Sequence, residues 1–439
     1  MRVPAGRVHL ISLGCAKNQV DAERMLHAFG LEGFQTAAEP ENVEVVIVNT
    51  CAFIRPAEEE AVDALLGAAE RKRRGHVKVL IATGCLVSRY GQEKLRALIP
   101  ELDEAFLPAE ASRVAPAVRA LLGRASAPRA GFSASPSKRV LLSGPGSAFL
   151  RIAEGCAHRC AFCLIPTLRG PLRSTPRTAL LQEAEQLVRQ GAGEIIVVAQ
   201  DITQYGRDLK PRISLNTLLD GLVKIKGLRW LRLMYAYPDG VEEGLIRRLA
   251  GEKKLCKYLD MPVQHSQKSV LRRMGRPGDA ATYLALLTRL RRRIPDLVVR
   301  TTLLTGFPGE TEADHEGLKA FVSAARFDRL GVFAYSPEAG TRAAGWPGQV
   351  PARVKARRLA ELMDLQAGIS RTNLKRWIGK KLECLVEEPS GLKHVIARTR
   401  GDAPEVDGGI VLAGQARPGD FVRARVTGST DHDLIGEIA

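Results

Sequence analysis

Short apolar runs alternate with helical patterns through residues 1–124. Three of the segments have the β-branched, apolar character of strands, and two have the periodic spacing of amphipathic helices. The strand segments are Val8–Leu13, Val43–Val48 and Val77–Ala82, and the helical segments are Asp21–Phe29 and Ala57–Arg71. Strands that alternate with helices are typical of a parallel sheet covered on its faces. We therefore predict an α/β fold, beginning with a parallel-sheet domain at residues 1–124.

The same alternation returns in residues 148–378, with six strand patterns separated by helical ones. The predicted strands are Phe149–Ala153, Glu194–Ala199, Trp230–Tyr235, Tyr258–Val263, Leu297–Leu304 and Arg329–Tyr335. Helical patterns include Ala179–Gln190, Ala281–Arg293 and a long one at Ala352–Lys375. Six β/α units predict a partial (β/α)6 barrel, and such folds place chemistry at the carboxyl ends of their strands.

Two further segments differ in composition. Residues 125–147 are rich in Ser, Pro and Gly, which is typical of a linker. Residues 379–439 contain five short strand patterns separated by turns, which predict a small antiparallel, OB-like barrel. Its predicted strands are Leu382–Val386, His394–Thr399, Ile410–Ala413, Phe421–Val426 and Leu434–Ile438.

Charge and hydropathy narrow the class of protein. The chain has 439 residues, 45% of them hydrophobic and 26% charged, which is typical of a globular multidomain protein. It has no apolar run long enough to span a bilayer and no secretion signal, so we expect a cytoplasmic location and no membrane partner. The net charge of +17 indicates either an anionic partner such as RNA or the ribosome, or a generic basic surface.

Three of the eight cysteines form a compact motif. Cys156, Cys160 and Cys163 have the spacing C-x3-C-x2-C in the loop after the first predicted barrel strand. Three thiolates can hold a 4Fe-4S cluster and leave one iron open. An open iron can chelate S-adenosylmethionine (SAM), whose reductive cleavage gives a 5′-deoxyadenosyl radical. The alternatives are incidental cysteines or a zinc site, but zinc usually takes four protein ligands.

A second set of cysteines is spread over the first domain. Cys15, Cys51 and Cys85 each follow a predicted strand, and the strand ends of a parallel sheet share one edge. Gly14 and Gly84 would allow close approach of a bulky ligand. Buried structural cysteines are the alternative, but three equivalent positions favour a second 4Fe-4S cluster with an open iron. Two cysteines lack such a context and are predicted to be packing residues, namely Cys256 and Cys384.

Longer stretches carry a family resemblance. They are Ser12–Asp21, Asn49–Ile54, Gly84–Leu86, Gln200–Gly206, Asp260–His265, Gly306–Glu312 and Asp402–Gly408. Over its full length the chain resembles the radical SAM methylthiotransferases, which have an N-terminal cluster domain, a radical SAM core and a C-terminal TRAM domain. It is more similar to the ribosomal-protein (RimO-type) branch than to the tRNA (MiaB-type) branch. Ala16 and Lys17 stand where the tRNA branch has Gln-Met, and His265 stands where it has Ser.

The resemblance implies an activity. An aspartate β-carbon in the small-subunit ribosomal protein numbered twelve would gain a methylthio group. SAM would serve both as radical source and as methyl donor, and the open iron of the auxiliary cluster at Cys15, Cys51 and Cys85 would carry the transferred sulfur. The implied partners are the ribosomal-protein substrate, bound through the TRAM domain, the ribosome, and an external reductant such as flavodoxin or ferredoxin.

Further site residues are predicted around the radical cluster. Polar groups at the ends of barrel strands are candidates for SAM binding, with barrel packing as the alternative. These candidates are Gln200, Asp201, Gln264, Thr305 and Gly306. Arg169 and Arg173 follow the cysteine loop, and either arginine could bind a carboxylate of SAM or of the substrate aspartate. A solvated surface arginine is the alternative.

Charge in the last module bears on the substrate. Residues 379–439 carry eight Lys/Arg and ten Asp/Glu, which gives a net charge of −2. An RNA-binding module should be basic, so this balance favours a basic protein partner. One alternative is a tRNA methylthiotransferase acting on a modified adenosine. Another is a non-catalytic iron–sulfur protein that binds the ribosome, although a structural cluster usually takes four cysteines.

Overall fold

The computed structural model describes residues 6–124 and 139–439, which form two compact units. The first unit contains residues 6–124 and 139–142 together with two later segments, Glu154–Ala157 and Cys163–Arg173. The second contains the rest of the described chain. Residues 125–138 of the predicted linker 125–147 lie outside the described residues. The boundaries 1–124, 125–147, 148–378 and 379–439 stay predictions.

The first unit is built on a five-stranded parallel sheet with the order β2-β1-β3-β4-β5. Its strands are β1 (Arg7–Ser12), β2 (Gln35–Ala37), β3 (Val45–Thr50), β4 (Val79–Gly84) and β5 (Glu104–Phe106). Its helices are α1 (Ala16–Leu31), α2 (Arg55–Arg73), α3 (Cys85–Tyr90), α4 (Gln92–Leu98), α5 (Val114–Leu121) and α6 (Ile165–Arg169). Every residue of β3 and β4 is buried, because helices cover both faces of the sheet.

The two apolar layers of this unit explain which helices cover which face. Residues of α1 and α5 pack with Val45 and Ile47 on one face of β3. Residues of α2, α3 and α6 pack with Val46 and Val48 on the other. Successive strand residues point to opposite faces, so the apolar run of β3 serves both layers. The predicted parallel-sheet domain is confirmed, with β2 and β5 as additional short edge strands.

The second unit begins with parallel strands arranged as a partial barrel. The barrel strands are β6 (Ser147–Arg151), β9 (Glu194–Val198), β10 (Trp230–Leu233), β11 (Tyr258–Asp260), β12 (Val298–Thr305) and β13 (Arg329–Ala334). Two short strands, β7 (Ala153–Glu154) and β8 (Arg173–Ser174), form a separate two-stranded sheet. Two parallel sheets, β6-β9-β10 and β11-β12-β13, follow chain order. Backbone hydrogen bonds continue from one sheet to the other, including Ala236 N–H to the carbonyl of Asp260 at 2.9 Å. The predicted partial (β/α)6 barrel is confirmed.

Helices connect and surround these strands. They are α7 (Arg177–Arg189), α8 (Leu215–Leu222), α9 (Glu243–Gly251), α10 (Lys268–Met274), α11 (Ala280–Arg293), α12 (Glu312–Ala325) and α13 (Ala352–Leu374). Ser214, Asp279 and Thr311 cap α8, α11 and α12, since their side chains accept hydrogen bonds from free N–H groups of the first turn. Among the described residues, no helix is both long and apolar enough to cross a bilayer.

The chain ends in a small closed barrel with the strand order β14-β15-β16-β18-β17. Its strands are β14 (Lys381–Pro389), β15 (His394–Thr399), β16 (Ile410–Ala413), β17 (Phe421–Ser429) and β18 (Leu434–Ile438). The neighbouring strands are antiparallel, as predicted, except that β16 and β18 run parallel. Cys384 lies in the apolar core of this barrel, and Cys256 is buried before β11.

Residues 398–407 of the small barrel contact the amino ends of the larger barrel's strands within the second unit. Glu194, the first residue of β9, accepts hydrogen bonds from Arg232 at 2.7 Å and from Arg398 at 2.8 Å. Tyr258, the first residue of β11, donates to Asp407 at 2.7 Å. The small barrel therefore covers the ends of the strands opposite to those where barrel chemistry takes place.

Candidate active site

The first unit brings three cysteines together at one edge of its sheet. Cys15 follows β1 and caps α1, Cys51 follows β3 directly, and Cys85 follows β4 as the first residue of α3. Because β1, β3 and β4 are adjacent and parallel, the three loops leave the sheet side by side. The three thiols are close enough to affect one another's ionisation.

A buried polar network holds these loops in place. The Asn18 side-chain amide donates to the carbonyls of Leu13, at 2.7 Å, and of Thr50, at 3.0 Å. The Thr50 hydroxyl donates to the Thr83 carbonyl at 2.6 Å and accepts from the Leu86 N–H at 3.1 Å. The Asn18–Leu13 bond lies within the segment around Cys15, and the other three bonds each join the segment around one cysteine to the segment around another. The positions of the cysteines are therefore fixed by backbone contacts rather than by the thiols themselves.

The glycines before two of the cysteines make room for protein atoms. A Cβ on Gly14, which has a φ of +95°, would lie 2.9 Å from the Cys51 sulfur. A Cβ on Gly84, which has a φ of +99°, would lie 2.4 Å from the Thr50 carbonyl oxygen. Both positions need glycine for its left-handed backbone and for the close approach of the neighbouring loop.

The protonation of the three thiols differs. Burial, with a smaller contribution from the neighbouring Cys85 and Cys15 thiols, raises the pKa of Cys51 to about 11. Burial also raises the pKa of Cys85, although Arg169 opposes that shift. For Cys15, which keeps solvent contact, Lys17, the Asn18 N–H and Arg169 outweigh desolvation and lower the pKa. Burial of Cys51 and Cys85 thus favours the neutral thiols, and a bound metal would favour the thiolates.

The donor set fits a three-thiolate iron–sulfur site. Within residues 6–124 and 139–439, no three cysteine sulfurs all lie within 4.8 Å of one another. A single tetrahedral zinc ion with Zn–S bonds of ~2.3 Å requires sulfurs only ~3.8 Å apart. A 4Fe-4S cluster takes its ligands from separate corners, which suits wider spacing and leaves one iron open.

The C-x3-C-x2-C loop is held by contacts within each unit. In the first unit, the Cys156 N–H donates to the Gly170 carbonyl at 3.2 Å, and the Ile165 N–H lies 3.4 Å from the Cys163 sulfur. In the second, which holds residues 158–162, the Ala161 N–H donates to the Met274 carbonyl at 2.9 Å. The loop's backbone is thus fixed on both sides of the motif.

Polar and aromatic groups of the second unit surround Cys160. The His158 ring stacks on Tyr237 with centroids 4.0 Å apart, and the Arg276 guanidinium lies 4.1 Å from the centre of the Tyr237 ring. Arg276 Nη1 is 3.9 Å from the Cys160 sulfur. The sequence reasoning missed Tyr237 and Arg276. Tyr237 follows the carboxyl end of β10, which is a recognisable signal, whereas Arg276 follows α10 without a motif.

The polar candidates at the strand ends divide into two groups. Asp201, Thr305 and Gly306 already form hydrogen bonds within the protein. Asp201 accepts the Thr203 N–H, and the Thr305 hydroxyl and the Gly306 N–H donate to the buried Glu310 carboxylate. The side-chain amides of Gln200 and Gln264 form no hydrogen bond within the described residues. Gln264 also has a φ of +69°, an uncommon conformation that occurs at binding sites.

The two arginines after the cysteine loop have different surroundings. Arg169 is buried, and its guanidinium donates to Asp21 at 2.8 Å and to Asn18. The carboxylate it binds is therefore one of the protein's own. Arg173 is exposed and forms no ion pair within the described residues. Its role in binding a carboxylate of SAM or substrate stays a prediction.

Acidic residues of the small barrel are paired with arginines of the larger one. Their partners lie in the same unit, so the sequence argument from a net charge of −2 counted charges that are not free for a partner. The pairs are Glu383–Arg229, Asp402–Arg329, Asp407–Arg300 and Asp431–Arg371. The choice between a protein and an RNA substrate must rest on other observations.

Three family models match successive parts of the chain. They are the uncharacterized protein family UPF0004 at residues 7–106, the radical SAM superfamily at residues 150–322 and the TRAM domain at residues 378–439. The first contains the three strand-end cysteines, and the second contains the C-x3-C-x2-C motif.

Curated relatives match over almost the entire chain. One from Geobacter sulfurreducens, named ribosomal protein uS12 methylthiotransferase RimO, is 44% identical over 98% of this chain and 98% of its own length. One from Desulforudis audaxviator, with the same name, is 44% identical over 100% of this chain and 98% of its own length.

Solved structures share the fold at low sequence identity. The radical S-adenosylmethionine methyltransferase TsrM from Kitasatospora setae has a TM-score of 0.53 and 16% identity, covering 74% of this chain and 72% of that one. The cobalamin-dependent S-adenosylmethionine radical enzyme OxsB has a TM-score of 0.51 and 11% identity, covering 82% of this chain and 56% of that one. These similarities concern architecture alone.

Proposed function

Since the chain belongs to the family of ribosomal protein uS12 methylthiotransferases named RimO, we propose that it adds a methylthio group to the β-carbon of an aspartate in ribosomal protein uS12. The observation that carries this proposal is the position of Cys15, Cys51 and Cys85 at the ends of three adjacent parallel strands. A radical SAM enzyme needs only one three-cysteine set to cleave SAM. A second preformed set supports a reaction that also delivers sulfur.

Each cysteine set would hold one 4Fe-4S cluster. The C-x3-C-x2-C cysteines would bind the cluster that receives SAM, and the strand-end cysteines would bind the auxiliary cluster. When bound, these groups supply three things: a radical that removes hydrogen from an unactivated carbon, a sulfur atom, and a methyl group from a second SAM.

The chain's own residues position these groups. The Asn18–Thr50 network fixes the strand-end loops, and Asp201 fixes the segment around Cys160 through His158. The free amides of Gln200 and Gln264 would bind polar groups of SAM. Buried polar side chains that orient ligands in this way support metal sites from outside the ligand set.

Arg173 and the small barrel would serve the substrate. Arg173 would bind a carboxylate of SAM or of the target aspartate, since a guanidinium forms paired hydrogen bonds with that group. The TRAM domain would contact the ribosomal protein, with the ribosome as a further partner. Flavodoxin or ferredoxin would supply electrons.

Mass spectrometry of small-subunit ribosomal proteins and tRNA nucleosides, from cells with and without the gene, tests the substrate. In cells without the gene, we expect uS12 to be lighter by the mass of one methylthio group less that of the hydrogen it replaces, while the tRNA nucleosides remain unchanged. Loss of a methylthiolated adenosine would instead identify tRNA as the substrate, and loss of neither would contradict the proposed activity.

Cysteine variants of the purified protein test the two sites separately. Cys15→Ala/Cys51→Ala/Cys85→Ala should still cleave SAM after reduction but should not modify uS12. Replacing the C-x3-C-x2-C cysteines should abolish both reactions, and Cys256→Ala is the control. If the first variant modified uS12 normally, the strand-end cysteines would not form the sulfur-delivering site.

A further inference from the structure

A short segment after the C-x3-C-x2-C motif reaches the strand-end cysteines within the first unit. Cys163 leads into α6. Leu164, just before this helix, and Leu168, within it, are buried in the same apolar layer as Leu86 of α3. Arg169 is the last residue of α6. Its backbone position is therefore set by apolar packing, independently of what its side chain binds.

The Arg169 guanidinium has a defined partner for each of its nitrogens. Nε–H donates to the Cys85 sulfur at 3.4 Å, Nη1 donates to Asp21 at 2.8 Å, and Nη2 donates to Asn18. A second carboxylate, that of Glu154, lies 3.5 Å from Nη1. The Arg169 side chain is only 2% exposed. It has neither the free nitrogens nor the access that binding an external carboxylate requires.

Burial of this charge needs an explanation. A buried guanidinium destabilises the folded state unless it is paired and hydrogen-bonded. Asp21 and Glu154 supply the pairing, but the N–H directed at Cys85 is not needed for it. Hydrogen bonds and positive charge near a ligating sulfur withdraw electron density from an iron–sulfur cluster and raise its reduction potential.

The same segment also contacts the first cysteine of the radical motif. The Gly170 carbonyl accepts the Cys156 N–H at 3.2 Å. A Cβ on Gly155, which has a φ of +69°, would lie 2.1 Å from the Pro171 carbonyl oxygen. Residues 163–171 thus contact the C-x3-C-x2-C loop through Gly170 and contact Cys85 through Arg169.

We propose that Arg169 is a positioning residue for the auxiliary cluster, which it holds through Cys85 and whose reduction potential it raises. Through Gly170 it also fixes that site relative to Cys156. The inference rests on the proposed function, because it requires a cluster at Cys15, Cys51 and Cys85. It replaces the expectation that Arg169 binds SAM or substrate.

Potentiometry on protein that holds only the auxiliary cluster tests this role. The parent is the full chain with Cys156, Cys160 and Cys163 replaced by Ala, reconstituted with iron and sulfide. In that background, Arg169→Gln should lower the midpoint potential and the bound iron. Arg169→Lys keeps the charge without the fork of donors and should lie between the parent and the Gln variant. Arg55→Gln changes an exposed arginine of the same unit and should match the parent.

The outcomes separate the inference from the proposed function. If the parent binds no 4Fe-4S cluster, the proposed second site is wrong. If the parent binds one and both Arg169 variants keep its potential and iron content, the inference is wrong. If Arg169→Gln fails to fold, as judged by circular dichroism, Arg169→Lys decides. In the chain with all cysteines, SAM affinity should be unchanged by Arg169→Lys, and a selective loss of affinity would restore the carboxylate-binding role.

Discussion

The Asp201 carboxylate lies 2.7 Å from the Nε2 atom of His158, the residue midway between the first two cysteines of the C-x3-C-x2-C motif. Its other oxygen accepts the Thr203 N–H at 2.9 Å and the Tyr237 N–H at 3.3 Å. Asp201 therefore joins the motif to the ends of two barrel strands, β9 and β10.

Replacing Asp201 with Ala should destabilise the barrel and loosen the cluster loop. The substitution leaves buried donors without an acceptor, which should lower the free energy of unfolding by about 1–3 kcal/mol. Iron bound by the C-x3-C-x2-C motif should fall in parallel. Urea unfolding and iron analysis measure the two effects.

Asp220→Ala is the matched control, since Asp220 forms a surface ion pair with Arg248. Its effect should stay below about 1 kcal/mol. Equal effects of the two substitutions would show that the contacts of Asp201 stabilise the protein no more than a surface ion pair does.

Gly14→Ala should remove the auxiliary cluster while leaving the radical cluster in place. The new Cβ would lie 2.7 Å from the Cβ of Cys51, so that cysteine must move. About half of the bound iron should be lost after reconstitution if each site holds one cluster. SAM cleavage should persist.

Gly30→Ala, in α1, provides the comparison, because no described atom other than those of its chain neighbours and of the surrounding helix backbone lies within 4 Å of the added Cβ. It should keep all the iron and stabilise the helix by about 0.5–1 kcal/mol. Full iron content in Gly14→Ala would contradict the close packing of Gly14 on Cys51.

Two arginine–carboxylate pairs between the barrels should contribute differently to the free energy of unfolding. Arg398 pairs with Glu194 where both side chains are buried. Arg398→Ala leaves Glu194 with Arg232 as its one remaining arginine partner and one carboxylate oxygen without its donor, which should cost about 1–3 kcal/mol. Arg371 pairs with Asp431 in solvent, so Arg371→Ala should cost less than about 1 kcal/mol. Urea unfolding of both variants checks the ranking, and a reversed order would contradict it.

His265 should make the protein less stable in mild acid. Burial lowers the pKa of His265 to about 3, against the pull of Asp314 and with help from His315 and Arg358. The unfolded chain binds a proton below a pKa of about 6.5, whereas the folded chain does not. Stability from this residue is therefore lost as pH falls from about 6.5 towards 3, by about 1.4 kcal/mol per pH unit.

His265→Asn should flatten this dependence between pH 7 and pH 5 in urea unfolding experiments. The exposed His76→Asn should leave the slope of the parent unchanged. If His265→Asn kept the parent's slope, the acid sensitivity would have to come from other groups.

Much of the architecture could be predicted because strand patterns and cysteine positions are local. The runs ending before Cys51 and Cys85 became β3 and β4, and His394–Thr399 became β15 with the predicted limits. The convergence of the strand-end cysteines also followed, since a parallel sheet places successive strand ends on one edge.

Long-range side-chain contacts were not predictable in the same way. The sequence shows that Arg169 follows the cysteine loop but not that Asp21, 148 positions earlier, is its partner. Nor does a charge count show that Asp402 and Asp407 are paired with Arg329 and Arg300. Such pairings depend on tertiary structure, so motifs identified the ligands better than the residues around them.

The contacts of residues 398–407 make the two barrels mutually dependent. A chain that ended before β14 would leave Glu194 and Arg232 at an open end of the larger barrel, without Arg398 and the carbonyls of Thr399 and Arg400. In the full chain, unfolding of the second unit should therefore be a single cooperative event. In evolution, the terminal barrel could be lost or exchanged only together with compensating changes in the strands beneath it.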